Sequence, residues 1–142
     1  MRRDATSNEL AKYRIEKAKL DLDAAKSSFR EEYCDASVNR SYYAILHATR
    51  ALLALERKDF KKHSAVISYF QREYVKSKKF DAEYSDIIME AFDIRNEADY
   101  EDFYIIPKDS VKRQIENAEK FICAVEVYIS KHEQNQQSTV RL

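Results

Sequence analysis

Apolar residues recur at helical spacing near both ends of the chain. The first predicted helix ends near Ser28 and carries a seam spaced alternately by four and three residues: Ala11, Ile15, Ala18, Leu22, Ala25 and Phe29. The last predicted helix, opened by Pro107 or Asp109, repeats that spacing: Val111, Ile115, Ala118, Ile122, Val125 and Ile129. Such seams are typical of antiparallel helices packed in a bundle.

Three further helices are predicted between these two. The second runs from near Asp35 to about Glu56, and the short third from Ser64 to about Lys76. Asp81 is expected to cap the fourth helix, which ends near Tyr100. The sequence Thr6-Ser7-Asn8-Glu9 has the form of a capping box and predicts the start of the first helix.

Composition supports an all-helical chain. There is no glycine, and Pro107 is the only proline, so the turns that tight hairpins require are absent. The chain is predicted to be one domain, residues 1–142, with an ordered core of about 6–132 and a flexible tail from 133 to 142. The expected fold is all-α, a four- to five-helix up-and-down bundle.

Charge is balanced over the whole chain but unevenly distributed. The formal net charge is zero, so no global field favours nucleic acid or membrane. Residues 57–79 carry eight cationic side chains against two carboxylates, a net of +6, and residues 81–102 carry nine carboxylates against one arginine, a net of −8. A local basic surface for an anionic ligand is one interpretation, and solvated helix faces are the other.

Metal and membrane chemistry are not predicted. Cys34 and Cys123 fit no metal-ligand spacing, and His47, His63 and His132 lie far apart in sequence. The charged start of the chain is not followed by an apolar segment of the kind that signal peptides contain. No apolar run has the length of a membrane span. We therefore expect a reduced cytoplasmic protein without cofactor, metal or membrane contact.

Arg95 occupies an unexpected position in the fourth helix. It lies on the predicted inward stripe, which consists of Tyr84, Ile88, Ala91, Arg95, Ala98 and Asp102. The opposite stripe is acidic and faces water: Asp86, Glu90, Asp93 and Glu97. Because a guanidinium stays charged, an inward arginine needs a carboxylate, a phosphate or a partner surface. Asp99, one turn further along, is the simplest candidate partner.

The second helix carries two separate stripes. Its core stripe consists of Val38, Tyr42, Ile45, Leu46, Thr49, Leu52 and Leu53. Its other stripe is basic and aromatic, formed by Arg40, Tyr43, His47 and Arg50. This stripe can line a cleft or an interface; alternatively, its arginines pair with carboxylates of neighbouring helices.

Three short motifs give the chain a family resemblance. Arg40-Ser41-Tyr42-Tyr43-Ala44, Lys62-His63 and Arg95-x-x-x-Asp99-Tyr100 together resemble a HEPN domain over roughly residues 8–130. The pattern is most similar to small stand-alone HEPN proteins that are often encoded beside a minimal nucleotidyltransferase. The resemblance implies a homodimer joined through the arginine-motif face. In active members, an arginine, four to six intervening residues and then a histidine form a metal-independent endoribonuclease site. Many such proteins are toxins, silenced when the nucleotidyltransferase adds AMP to a tyrosine.

The motif histidine is absent here. Tyr100, Glu101 and Asp102 occupy the slots where it is expected, and tyrosine is a weak base because its pKa is ordinarily about 10. The candidate catalytic residues are Arg95 for the phosphate charge, Asn96 for orienting the motif, Tyr100 and Asp102. His63 or His47 can replace the missing base if the fold brings either close. The candidate RNA- or nucleotide-binding residues are Arg40, Tyr43, His47, Arg50, Lys62 and His63.

Tyr100 has two possible roles. As a nucleotidylation acceptor it needs an exposed hydroxyl, and Tyr104 competes for that role. Otherwise its ring closes the end of the bundle. The leading hypothesis is a HEPN-type toxin-like partner of a minimal nucleotidyltransferase that cleaves RNA. The alternative is a non-catalytic module that binds nucleotide, RNA or the nucleotidyltransferase, and a third is a structural bundle without ligand.

Overall fold

The computed structural model describes the backbone of residues 2–141 and the side chains of residues 6–135. Five α-helices form the bundle: α1 (Arg2–Arg30), α2 (Cys34–Leu55), α3 (His63–Phe70), α4 (Ala82–Tyr100) and α5 (Lys108–Arg141). A short π-helical segment, Gln71–Val75, extends α3. No strand occurs within this described part of the chain, which confirms the all-α prediction.

The predicted seams form the core. In α1 the seam is buried from Ala11 to Ala25, with Phe29 half-buried at its end, and in α5 all six seam residues are buried. The predicted core stripe of α2 is buried throughout. Helix α2 packs against α1, α4 and α5, so it is the central element of the bundle. Its second stripe therefore lies in the seams between α2 and its neighbours.

Two predicted helix boundaries are wrong. Helix α1 begins at Arg2, ahead of the capping box predicted at Thr6, because no proline or glycine interrupts the preceding residues. The third helix is α-helical only to Phe70 and then widens into the π-helical segment. Tyr74 of that segment is buried, and its hydroxyl donates to Glu56 and to the Leu52 carbonyl. The predicted cap residue Asp81 does precede α4, but its side chain makes no capping hydrogen bond.

Helices end here without glycine. After α1, Glu32 adopts φ 65°, and after α2, Arg57 adopts φ 57°. In each case the amide of the next residue returns to a carbonyl in the last helical turn, Tyr33 to Ser28 and Lys58 to Leu53. These are Schellman-type ends, in which a non-glycine residue accepts a left-handed conformation. They fix the direction of the links that leave both helices.

The end of the chain follows a continuous helix. The backbone of α5 stays helical to Arg141, past the predicted start of a tail at residue 133. Side chains beyond residue 135 lie outside the described residues, so the flexibility of residues 133–142 stays a prediction. In the part of the chain that is described, no helix has the length and apolar character to cross a membrane.

Candidate active site

Arg95 reaches from α4 into the seam with α2. Its side chain is only 18% exposed, and its Nε lies 3.0 Å from Asp99 Oδ2. One terminal nitrogen donates to Asn96 Oδ1 at 3.3 Å, and the other approaches the Tyr43 hydroxyl at 3.5 Å. The guanidinium also lies over the rings of Tyr42 and Tyr43, with its carbon 5.5 and 5.7 Å from their centroids. The inward position is confirmed, and the simple pairing with Asp99 is present as well.

The guanidinium keeps capacity for a further anion. Each of its terminal nitrogens carries two N–H groups, and Asn96 and Tyr43 engage one on each. One N–H group on each terminal nitrogen therefore remains without one of these partners. A planar guanidinium with N–H groups to spare suits phosphate oxygens, which is why arginine is favoured in phosphate sites.

Two predicted neighbours of Arg95 lie elsewhere. Helix α4 ends at Tyr100, and Glu101 is extended, so Asp102 leaves the helical stripe and is exposed. The placement of Asp102 on the stripe of Arg95 is wrong. Tyr100 is 77% exposed, so the alternative in which its ring closes the bundle is also wrong. Neither side chain lies in the seam with Arg95.

His63 enters the site from the start of α3. Its Nδ1 lies 2.8 Å from the Tyr42 hydroxyl. Its ring packs against Tyr42 and, edge to face, against Tyr43, with centroids 5.7 and 5.8 Å apart. Arg95 lies over these same two tyrosines, so the fold brings an arginine of α4 and a histidine of α3 onto one aromatic pair of α2. With Nδ1 engaged, Nε2 is the ring nitrogen left for a substrate.

The electrostatics of this cluster keep both ionisable rings neutral. Burial raises the pKa of Tyr42 to about 12, so its phenol stays protonated. The pKa of His63 is lowered from its ordinary value, first by burial and then by the charges of Arg50 and Arg95. A neutral imidazole at neutral pH can accept a proton, which a histidine held as imidazolium cannot do.

Replacing Arg95 with glutamine should raise the pKa of His63. Removal of the positive charge makes the imidazolium less unfavourable, so the titration midpoint moves upward towards the ordinary value of about 6.5. Chemical shifts of the histidine ring protons, followed from pH 4 to 9 by NMR, measure the midpoint. The same substitution at the exposed Arg113, which pairs with Glu90 on another face, should leave it unchanged. A His63 midpoint that does not move in Arg95→Gln contradicts the proximity described here.

Beside this cluster, two residues of the basic-aromatic stripe, Arg40 and His47, pair with a carboxylate of α1. Arg40 Nη1 lies 3.0 Å from Asp21 Oδ1, and His47 Nε2 lies 3.4 Å from the other oxygen of the same carboxylate. Arg40 also covers the ring of Tyr43, with its guanidinium carbon 5.0 Å from the centroid. The alternative pairing predicted for the arginines, with carboxylates of α1, is therefore present at Arg40.

Arg50 contacts the link between α2 and α3, residues 56–62, which leads into His63. Its Nη2 donates to the Phe60 carbonyl at 3.1 Å, and its Nε lies 3.4 Å from Asp59. Arg14 of α1 approaches the same carboxylate at 3.3 Å and also donates to the Arg50 carbonyl. Arg50 was a candidate RNA-binding residue, but its guanidinium faces the protein's own link. Lys62, at the other end of that link, is exposed.

Three site residues were not identified from the sequence. Tyr42 was assigned to the core stripe and quoted in the family motif without a role in the site, yet its hydroxyl bonds to His63. Asp21 and Asp59 have no motif around them, and their importance depends on which helices neighbour one another. A weak signal existed for Asp21, since it directly precedes the seam residue Leu22 and so lies beside the buried face of α1.

Large apolar side chains are exposed where α4 ends. Phe103 is 99% exposed, and Ile105, like Tyr100, is also mostly exposed. Phe103 adopts φ 62°, which is costly for a residue with a bulky side chain. The neighbouring Glu101 and Asp102 are exposed carboxylates. An aromatic and aliphatic group with an acidic border is the kind of surface that binds another protein.

Comparisons with known proteins place the chain among related small proteins. A family model described as the HEPN domain matches residues 11–128. A Methanocaldococcus jannaschii protein named "Putative toxin MJ0142" is 31% identical over 115 residues, which cover 81% of this chain and 78% of its own length. A Thermotoga maritima protein named "UPF0332 protein" is 34% identical over 121 residues, covering 85% and 92%. A second M. jannaschii protein, "Putative toxin MJ0605", is 32% identical over 117 residues, covering 82% and 81%.

Proposed function

This chain belongs to the HEPN domain family, and we propose that it is the toxin-like member of a toxin–antitoxin pair that cleaves RNA without a metal ion. The observation that carries the proposal is the meeting of Arg95 and His63 on Tyr42 and Tyr43. Two relatives bear names that describe them as toxins, which is what supports the toxin-like assignment. The partner we propose is a minimal nucleotidyltransferase, and the working form is a cytoplasmic homodimer.

In the proposed reaction, the phosphorus of the scissile phosphodiester is transferred from the 5′-oxygen to the neighbouring ribose 2′-oxygen. His63 Nε2 takes the proton of the 2′-hydroxyl, the oxygen attacks phosphorus, and the bond to the 5′-oxygen breaks. Arg95 binds the non-bridging oxygens, on which negative charge accumulates in the transition state. For Nε2 to accept the proton, Nδ1 must carry one and donate it to the Tyr42 oxygen, and a phenol oxygen can accept it. The products are a 2′,3′-cyclic phosphate and a free 5′-hydroxyl.

His63 replaces the base that the motif lacks. The motif histidine of active family members is absent, and the residues in its slots, Tyr100 and Asp102, are exposed and outside the seam with Arg95. His63 comes from a different helix, but it shares the aromatic pair with Arg95. Asn96 positions the guanidinium through its side-chain oxygen. Arg40 and Lys62 border this cluster and are proposed to hold the RNA strand.

Tyr100 is the proposed acceptor of AMP. Its side chain is mostly exposed, as a modifying enzyme requires. The hydroxyl of Tyr104 is engaged by Glu97, whose hydrogen bond is the main cause of the raised pKa of Tyr104. The exposed apolar residues around Phe103 are the proposed contact surface for the nucleotidyltransferase, because they lie next to the acceptor.

Purified full-length protein should cleave RNA in the presence of EDTA. The expected products end in 2′,3′-cyclic phosphate, which is identified by mass spectrometry of the fragments and by resistance of the ends to phosphatase until acid opens the ring. Cleavage should disappear in a His63→Gln variant purified identically, which excludes a contaminating ribonuclease. Intact RNA after prolonged incubation with the unmodified wild-type homodimer contradicts the proposed enzyme activity.

A non-catalytic binding module is the second candidate. The observation that favours it is the ion pair between Arg95 and Asp99, which already balances the guanidinium charge. In that case the protein scaffolds its nucleotidyltransferase or presents RNA or a nucleotide to it. Co-purification of the two proteins without RNA degradation, weakened by Tyr43→Ala in the basic-aromatic stripe, distinguishes this function from the first.

A further inference from the structure

Two histidines, His47 and His63, lie near the ring of Tyr43. The ring centroid of His47 lies 6.2 Å from that of Tyr43, and the centroid of His63 lies 5.8 Å from it. The two histidines differ in the groups that they face. His63 faces a neutral phenol, whereas His47 presents Nε2 to the carboxylate of Asp21 at 3.4 Å. A reaction that moves one proton away from RNA and another proton to it requires two such groups.

We propose that His47 is the general acid that protonates the departing 5′-oxygen, and that Asp21 is its positioning residue. The inference rests on the proposed function and adds a second catalytic histidine to it. The Nε2 side of His47 faces the Asp21 carboxylate at 3.4 Å as an ion pair, which leaves Nδ1–H of the imidazolium to donate to the leaving oxygen. As the bond from phosphorus to the 5′-oxygen breaks, that proton passes to the oxygen and the imidazole becomes neutral. His63 has meanwhile taken the proton of the 2′-hydroxyl, so charge and protons balance.

The surroundings of the two rings assign these roles. His63 has two arginines nearby, Arg50 and Arg95, and no carboxylate among the groups that influence it. His47 is the histidine with a carboxylate partner, and an adjacent carboxylate favours the imidazolium that an acid must provide.

The groups that face His47 come from two helices. From α1 it faces Asp21, Lys17 and Arg14, and from its own helix it faces Arg50. Burial is the largest cause that lowers the pKa of His47 from its ordinary value; Asp21 raises it in part, and the three cations lower it further. Arg40 shares the carboxylate of Asp21 at 3.0 Å, which fixes the oxygens relative to both α1 and α2. His47 is half-buried, with its side chain 21% exposed, and the proposal places Nδ1 towards a strand lying along the seam.

A sulfur-substituted RNA tests the acid role directly. A short oligoribonucleotide is prepared in two forms, one natural and one with sulfur in place of the 5′-bridging oxygen at the scissile bond. A thiol ionises near pH 8.5, far below an alcohol, so the sulfur leaves without a proton. We expect His47→Gln to slow cleavage of the natural RNA by about 10²–10⁴-fold. On the sulfur-substituted RNA the same variant should cleave at close to the wild-type rate.

Three companion variants make the result specific. His63→Gln should be inactive on both RNAs, because the 2′-hydroxyl still needs a base. Asp21→Asn should show the same selective loss as His47→Gln in smaller measure, and it serves if His47→Gln fails to fold by circular dichroism. His132→Gln, a histidine of α5 outside the site, should match wild type on both RNAs. Equal loss on the two RNAs in the His47 and Asp21 variants overturns the acid role while leaving the proposed function standing. If the wild-type protein cleaves neither RNA, both the acid role of His47 and the proposed function are contradicted.

Discussion

Replacing Arg95 with alanine is expected to lower the rate of RNA cleavage by at least about 10²–10³-fold, the loss typical of removing one preorganised transition-state donor. The guanidinium is the group assigned to the non-bridging oxygens of the scissile phosphate, so its removal acts on the transition state. Initial rates on a fluorogenic oligoribonucleotide in EDTA measure the effect. Thermal unfolding of the same sample shows whether the variant remains folded.

Two controls separate a catalytic role from a structural one. Arg113→Ala makes the same change at an exposed arginine that also pairs with a carboxylate, and it should cleave at the wild-type rate. Arg95→Lys keeps the charge near Asp99 but loses the planar fork, so it should restore stability more than activity. Cleavage by Arg95→Ala at the wild-type rate contradicts the catalytic role assigned to Arg95.

Periodicity was sufficient to predict the bundle. The seam of α5, read from residues three and four apart, is buried at every predicted position, because a long helix beside a core has only one way to bury its apolar side. The absence of glycine excluded most alternatives. The wrong boundaries occur where tertiary packing decides. The π-helical segment turns Tyr74 into the core, towards Glu56, and no local pattern of the sequence marks that register change.

The site was predictable only in part. Arg95 was conspicuous because a permanent charge lay on an inward stripe, and its contact with Tyr43 follows from that position. The approach of His63 was not predictable, since it depends on the link that Arg50 and Arg14 hold through Asp59. Asp102 was misplaced because the stripe was extended past the last helical residue. Helical spacing has no meaning once Glu101 is extended.

The uneven distribution of charge along the chain could be interpreted only with the fold. Residues 57–79 are basic and residues 81–102 acidic, and a local basic surface for an anionic ligand was one interpretation of this distribution. In the fold, part of the basic stretch makes cation–π contacts within the protein, since Lys58 and Arg72 both lie over the ring of Tyr69. The acidic stretch ends at the exposed apolar residues after α4. Arg40 of α2 and Lys62, which directly precedes His63, are the basic groups that border the site.

The second large effect is the loss of stability expected when a buried phenylalanine is replaced; an exposed phenylalanine provides the control. Phe121→Ala should lower the free energy of unfolding by about 3–5 kcal/mol, the usual cost of deleting a buried phenylalanine ring. Phe121 is fully buried in α5, and its ring contacts those of Phe70 and Tyr84 with centroids 5.3 and 5.9 Å apart. A small domain is stable by only about 5–15 kcal/mol, so this variant should be close to unfolding. Urea denaturation followed by circular dichroism measures the change.

The same substitution at Phe103 should have almost no effect on the isolated protomer. Its side chain is almost completely exposed, so alanine removes no packing, and the expected change is within about 0.5 kcal/mol. The contrast depends on protein concentration. If Phe103→Ala destabilises the protein only at concentrations where wild type self-associates, its ring is buried between copies. This surface then belongs to the proposed homodimer rather than to a contact with the proposed nucleotidyltransferase. A loss of several kcal/mol in dilute protein contradicts the exposure of this side chain.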